Sequence, residues 1–327
     1  MSNATDELRI AVVLEAFLDR PLDDVLDWLA TAAPEVTDLE VGTGGYAPHP
    51  HCDTATLLSE ESARRQWLDN ITARGFNVAA LNAWGNPLHP DVEVARSHDQ
   101  ALRDAIRLAT EFGVDRVVAM AGCPAGIPGD GSPHFAAGGW LPFLEGVYER
   151  QWTDAIAPYW SSLADFAKAQ NPDLLVCLEL HPGTSVFNVD TFERLAELGP
   201  SLAANLDPSH FMWMGMDGHK VASRIADRVG HIHGKDTAFH TEQLALNGVL
   251  DRRWPNPPEE MPWTFAVPGR GHDLEWWTEL LRRLSGSQAH VISIEHEDPF
   301  VPAEQGVPEA ARLLHQAIEG SEQEATR

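Results

Sequence analysis

"RVGHIHGKD", residues 228–236, is a short apolar run with histidines at alternate positions, closed by a lysine and an aspartate. In an extended chain, side chains two apart share a face, so His231 and His233 are predicted to point the same way. A buried strand that ends so polar is expected to face a site. Seven further short runs share the apolar character: "LRIAVVLEAF" (8–17), "VTDLEVG" (36–42), "FNVAALNAW" (76–84), "VDRVVAMAG" (114–122), "DLLVCLELHPG" (173–183), "SLAANLDPSH" (201–210) and "HVISIEHEDP" (290–299). Between them lie stretches with apolar residues near i, i+3, i+4 and i+7, such as "LDDVLDWLATAA" (22–33), "EESARRQWLDNITARG" (60–75), "VEVARSHDQALRDAIRLATEFG" (92–113) and "WTDAIAPYWSSLADFAKAQ" (152–170). Strands and helices that alternate eight times predict an α/β fold of the (β/α)8 TIM-barrel class, as one domain over residues 1–327. No GxGxxG turn follows the first strand, which argues against a dinucleotide-binding sheet.

Two connections are too long for simple turns, residues 122–151 after the fourth strand and 237–273 after the seventh. Both fall at the C-terminal mouth of the expected barrel, where such folds carry their sites. The polar end of the chain, "EGSEQEATR", together with Ala317 and Ile318, reads as a frayed tail over 317–327.

Bulk properties narrow the function. A formal net charge of −26 makes nucleic acid and anionic membranes poor partners, because phosphate binding needs clustered Lys and Arg. No run reaches the roughly 18 apolar residues of a membrane span. Cys52, Cys123 and Cys177 are too scattered for a disulfide framework or a CxxC site. With no basic targeting segment at the start, a cytoplasmic location is expected.

The chemistry concentrates where four consecutive strands end. The fifth carries Glu179 and His181, the sixth Asp207 and His210, the seventh His231, His233, Lys235 and Asp236, the eighth Glu295 and Glu297. A closed barrel would make these groups converge, and carboxylates gathered out of water repel unless a cation offsets them. One ligand per strand, Glu179, Asp207, His233 and Glu295, gives three carboxylates and one imidazole. That mixture suits Mn²⁺, with Mg²⁺, Co²⁺ or Zn²⁺ as other candidates. The competing reading is a metal-free set of buried hydrogen-bonded residues, which four such groups at one mouth make hard to satisfy.

"LELHPG", "NLDPSH", "HIHGKD", "PGRGHDLEWW" and "ISIEHEDP" resemble, in order, the motifs of the xylose isomerase-like TIM-barrel superfamily, the sugar isomerase and epimerase group that also holds inosose dehydratases and endonuclease IV. The resemblance covers nearly the whole chain. It implies Glu179, Asp207, His233 and Glu295 as metal ligands, His210 as a substrate contact, and the two glutamates as the acid/base pair of a keto-sugar epimerase. A carbonyl and its neighbouring hydroxyl would chelate the metal, and a base would remove the intervening C–H proton to give an enediolate. Glu179 is the expected base and Glu295 the group that returns the proton, with Lys235 polarising a hydroxyl.

His181 lies two residues from Glu179 and shares its face, so a second base stands beside the first. A leaving group beta to the carbanion would turn the same chemistry into elimination. The α subunits of bacterial C-glycoside deglycosidases, which work with a small β subunit, are the branch to which "ELHP" and "NGVLD" are similar. This lyase reading stands beside the isomerase or epimerase one.

Other residues are read more modestly. His231 is expected to pack behind the ligands, and Glu15 and Glu40 to be ordinary hydrogen-bonded barrel residues. His210 and His181 divide between substrate contact and structure. Trp84 suits the apolar face of a sugar ring, or simply the core. "PGRG" reads first as a turn, with Arg270 as a candidate to meet an anionic group, while "HPHCD" (49–53) reads as a loop. Endonuclease-like DNA repair would need more histidine ligands and a basic groove, and the fourth strand ends "AMAGCP" without histidine. The expected partners are a small carbohydrate and another chain in an oligomer, identical or a small β subunit.

Overall fold

The computed structural model of the protein describes residues 8–137, 142–250 and 257–325. Ten strands are present: β1 (Arg9–Val13), β2 (Val36–Gly42), β3 (Asn77–Asn82), β4 (Arg116–Met120), β5 (Leu175–Glu179), β6 (Leu202–Leu206), β7 (Val229–Gly234), β8 (Asp236–Phe239), β9 (Trp263–Ala266) and β10 (Val291–Ile294). Eight close into a barrel in the order β1-β10-β7-β6-β5-β4-β3-β2, and β1–β10, β1–β2, β10–β7, β3–β4, β4–β5 and β5–β6 pair in parallel. Each of the eight runs read from the sequence supplies one barrel strand, with helices between. The (β/α)8 barrel is the fold.

The chain divides into two compact units. One comprises Met1–Glu40, Ile71–Asn77 and Leu206–Arg327, the other Val41–Asn70 and Val78–Asn205. In the first unit β1 pairs with β10 and β2, and β10 with β7, in a register that sets Ser293 beside His233 and Val13 beside Glu40. In the second unit β3, β4, β5 and β6 run side by side, and Glu179 pairs with Asn205. Every residue of β5, β6 and β7 is buried. That explains their continuous apolar runs, since a parallel strand is covered on both faces and each large side chain contributes ~1.5–3 kcal/mol by leaving water.

Helix ends follow local chemistry. Helix Val92–Phe112 starts at Asp91, whose side chain accepts from Glu93 N–H and Val94 N–H, and stops at Gly113 with φ 73°. Asn188 and Thr191 form a reciprocal capping box on helix Val189–Ala196.

The long connection after β7 carries structure of its own: β8 pairs antiparallel with β9, and helix Thr241–Asn247 follows β8. One expectation is corrected for the described residues: helix Ala303–Ala325 runs through the segment read as a frayed tail as far as Ala325, with Leu314, Ala317 and Ile318 buried on one face. Of the connection after β4, residues 138–141 lie outside the described residues, as do 251–256 in the connection after β7. "HPHCD" is a loop leading to Asp53, which caps helix Thr54–Ser59. All three cysteines are free and buried.

Candidate active site

The first unit gathers the polar ends of several strands. β7 places His231 and His233 on one face, both with no exposure, as the alternation requires. Gly234 follows, and a Cβ there would come 2.8 Å from Leu314 Cδ1, so that side chain would have to move. Asp207 caps helix Pro208–Trp213, with its Oδ1 accepting from Ser209 N–H at 2.9 Å, which aims Oδ2 into the cluster.

Lys235 is the centre of that cluster. Its Nζ lies 2.7 Å from Glu295 Oε2, 3.0 Å from Asp207 Oδ2 and 3.0 Å from Glu297 Oε2, and 4.4 Å from the centre of the Phe265 ring. A lysine only 2% exposed needs such partners, because an unpaired buried ammonium would cost several kcal/mol. His233 bridges two carboxylates. Its Nδ1 is 2.8 Å from Glu295 Oε2, and its Nε2 is 3.2 and 3.3 Å from the two oxygens of Glu40. His231 Nε2 reaches Glu40 Oε2 at 2.7 Å and Ser293 Oγ at 2.9 Å.

Protonation states follow from this crowding. Burial works to raise Asp207, but attraction to Lys235, His210 and His233 holds it well below the usual carboxylate range. Burial likewise opposes ionised Glu40, and His233 and His231 override it. The Glu297 carboxyl, raised by burial, is pulled down overall by Lys235. His233 goes the other way: burial disfavours its cation, yet Glu40 and Glu295 raise it well above the ordinary value. Burial pushes His210 down to about 4 despite Asp207 Oδ2 at 3.3 Å, so its ring is neutral at pH 7. Glu15, just past β1, is raised to about 8 by burial and by the charges of Glu40, Glu295 and Glu297, and its Oε1 is buried with no hydrogen-bond partner among the described residues.

One ligand atom from each of Asp207, His233 and Glu295 lies within 4.8 Å of the others, and the three residues are at most 7% exposed. Two carboxylates and an imidazole so gathered form a group able to hold a divalent metal. The structure therefore brings together His233, Asp207, Glu295, Lys235 and His210 of the residues read from sequence. Glu179 belongs to the second unit, where it ends β5, 1% exposed and in register with Asn205, two residues before Asp207. His181 follows it with Nδ1 2.6 Å from Pro182 O. Trp84 lies just beyond β3 and is 9% exposed.

Arg270 is engaged elsewhere, in a two-point ion pair with Glu309 at 2.8 and 2.9 Å. The "PGRG" turn serves the fold. Asp236 Oδ2 accepts from the N–H groups of Gly269, Gly271 and His272, and a Cβ on Gly271 would come 2.1 Å from Thr237 O. Sequence reasoning undervalued Glu40, Glu15 and Phe265. A carboxylate two residues past β1 was the available signal for Glu15, and a carboxylate between Leu39 and Val41 inside β2 the signal for Glu40; Phe265 had none, since β9 is too short to read from local periodicity.

The sequence model of the xylose isomerase-like TIM barrel family matches residues 40–317, and the chain belongs to that family. A Bacillus subtilis (strain 168) relative, called uncharacterized protein YfiH, is 32% identical over 95% of this chain and 99% of its own. An inosose dehydratase of Geobacillus kaustophilus (strain HTA426) is 30% identical over 34% of this chain and 37% of its own. Among solved structures, the probable 3-DHS dehydratase AsbF of Bacillus anthracis aligns with a TM-score of 0.66 at 13% identity, over 94% of this chain and 99% of that one. A xylose isomerase-like barrel protein of Mycobacterium smegmatis in complex with magnesium aligns at 0.65 and 13%, over 99% of each chain. An L-ribulose 3-epimerase aligns at 0.61 and 14%, over 98% and 97%. Identities this low speak for the fold alone. Among the described residues no helix is long and apolar enough to cross a membrane.

Proposed function

We propose that the protein is a divalent-metal-dependent isomerase or epimerase of keto sugars that acts by removing a proton alpha to a carbonyl. The observation that carries this reading is the buried convergence of Asp207, His233 and Glu295, with two carboxylates and one imidazole offering oxygen and nitrogen donors. Glu179 is the fourth ligand in this reading, and Mn²⁺ the favoured ion. A bound cation would supply Lewis-acid stabilisation of the negative charge that forms on the substrate oxygens. The chain's own residues supply the rest. Glu179 takes the proton from carbon and Glu295 returns one, at the opposite face for epimerisation or at the neighbouring carbon for isomerisation. Lys235, already within 3.0 Å of Glu295 and Glu297, donates to a substrate hydroxyl. Neutral His210 accepts or donates a hydrogen bond without adding charge.

Elimination is the second reading, favoured by the partial match to an inosose dehydratase. It keeps the same proton removal and adds departure of a beta substituent, from a 3-oxo-glycoside in the C-glycoside case, with His181 as the additional base. Both readings are tested by solvent-deuterium exchange, followed by mass spectrometry, on metal-stripped and Mn²⁺-reloaded protein with a panel of keto sugars and 3-oxo-glycosides. Metal-dependent label in an isomerised sugar supports the first, and release of water or an aglycone the second. No exchange and no metal binding would remove both.

A further inference from the structure

Glu40 has no part in the proton transfers above, yet it is fully buried at the end of β2 and takes hydrogen bonds from two imidazoles. We propose that Glu40 is a positioning residue that fixes the proton of His233 on Nε2 and thereby commits Nδ1 to the metal. The inference rests on the metal-dependent reading.

The chemistry is forced by what each group can donate. A carboxylate accepts hydrogen bonds and does not give them, so at 3.2 Å the His233 Nε2 must be the donor to Glu40. By the same rule Nδ1, 2.8 Å from Glu295 Oε2, donates to that oxygen; a divalent cation held by Nδ1 would take the place of that proton, and the neutral ring would keep its remaining proton on Nε2, toward Glu40. Glu40 is itself held. His231 Nε2 donates to its Oε2 at 2.7 Å, with Ser293 Oγ 2.9 Å from the same nitrogen. Ser293 stands beside His233 in the β10–β7 register, so the brace runs from β10 through His231 on β7 to Glu40 on β2 and back to His233. The rings of His231 and His233 meet edge to face at a centroid distance of 5.6 Å. Carboxylates placed behind a ligating histidine set its tautomer and basicity, and their removal typically costs about 10–100-fold in metal affinity.

The test compares wild type with Glu40→Gln and His231→Gln, using Mn²⁺ and Zn²⁺ in competition with a chromophoric chelator. Nitrogen-15 NMR of the Zn²⁺-loaded wild type reads the tautomer of His233 directly. The expected result is one ion per chain, a proton on Nε2 of His233, and affinity weakened about 10–100-fold in Glu40→Gln, with a smaller loss in His231→Gln. Wild type serves for the NMR even where a variant folds poorly. Metal on Nε2 of His233, or unchanged affinity in folded Glu40→Gln, overturns the role of Glu40 and leaves the metal-dependent reading standing. A second ion per chain that is lost in His231→Gln overturns it too, because Glu40, His231 and His233 would then be ligands of their own. Failure of wild type to bind either ion overturns both proposals.

Discussion

At the scale of single residues, the site is a contest between burial and charge. Attraction to Lys235 and His233 keeps Asp207 ionised against its burial, and Glu295 lies 2.7 Å from the first and 2.8 Å from the second, so a neutral replacement at either position removes a donor and leaves a cation short of a partner. Asp207→Asn and Glu295→Gln are predicted to lower Mn²⁺ affinity by more than about a hundredfold, beyond the loss expected from a residue behind the ligands; isothermal titration reads this, and affinities near wild type would refute the ligand assignment. Glu15 gives a pH signature. Its folded-state carboxyl titrates at about 8, against an ordinary 4.5, so the folded protein holds a proton that the unfolded chain has lost between those values. Stability from this group is complete below pH 4.5 and falls as pH rises to about 8. In metal-stripped protein, Glu15→Gln should therefore unfold at higher urea than wild type at pH 8 and show little difference at pH 4.5. Equal gains at both would exclude Glu15 as the source.

Among the elements, the connection between β7 and β10 carries the most specific packing. Gly271→Ala would drive a Cβ into Thr237 O and Asp236 Oδ1, and is predicted to cost ~1–3 kcal/mol through overpacking. Asp236→Ala removes the acceptor for the N–H groups of Thr237, Gly269, Gly271 and His272, and is expected to cost more. Urea denaturation of both variants checks the order, and an Asp236→Ala no weaker than Gly271→Ala would contradict it. The eight barrel strands were legible because each is a short apolar run between helical periodicities. β8 and β9 were not. Each has four residues, and antiparallel pairing of "DTAF" with "WTFA" across more than twenty residues leaves no local periodicity to read. Glu40 was visible as a carboxylate in β2, but its contact with two histidines of β7 depends on side-chain reach across the register, which sequence spacing does not carry.

For the whole molecule, a ligand that binds only the folded state stabilises it. At a hundredfold excess over its Kd, Mn²⁺ should add about 2.7 kcal/mol and raise the melting temperature relative to chelator-treated protein. An unmoved melting temperature would count against a resident cation. Association is the other prediction at this scale. Phe239, Leu246, Leu250 and Phe300 are 41–87% exposed, an apolar exposure suited to meeting another chain. We propose that the protein is oligomeric, and light scattering at micromolar concentration should find more than one chain per particle. A clean monomer would defeat this.

Lys235 and Asp236 are consecutive, and they face different tasks. The first places its ammonium among Asp207, Glu295 and Glu297, while the second grips the amides of the turn at 269–272. One peptide unit therefore joins the ion cluster to a surface turn. The exchange rates of the Gly269, Gly271 and His272 amides become a remote gauge of that cluster: whatever draws Lys235 away from its carboxylates tugs on Asp236, and the turn would report it to hydrogen–deuterium exchange without a probe placed in the site.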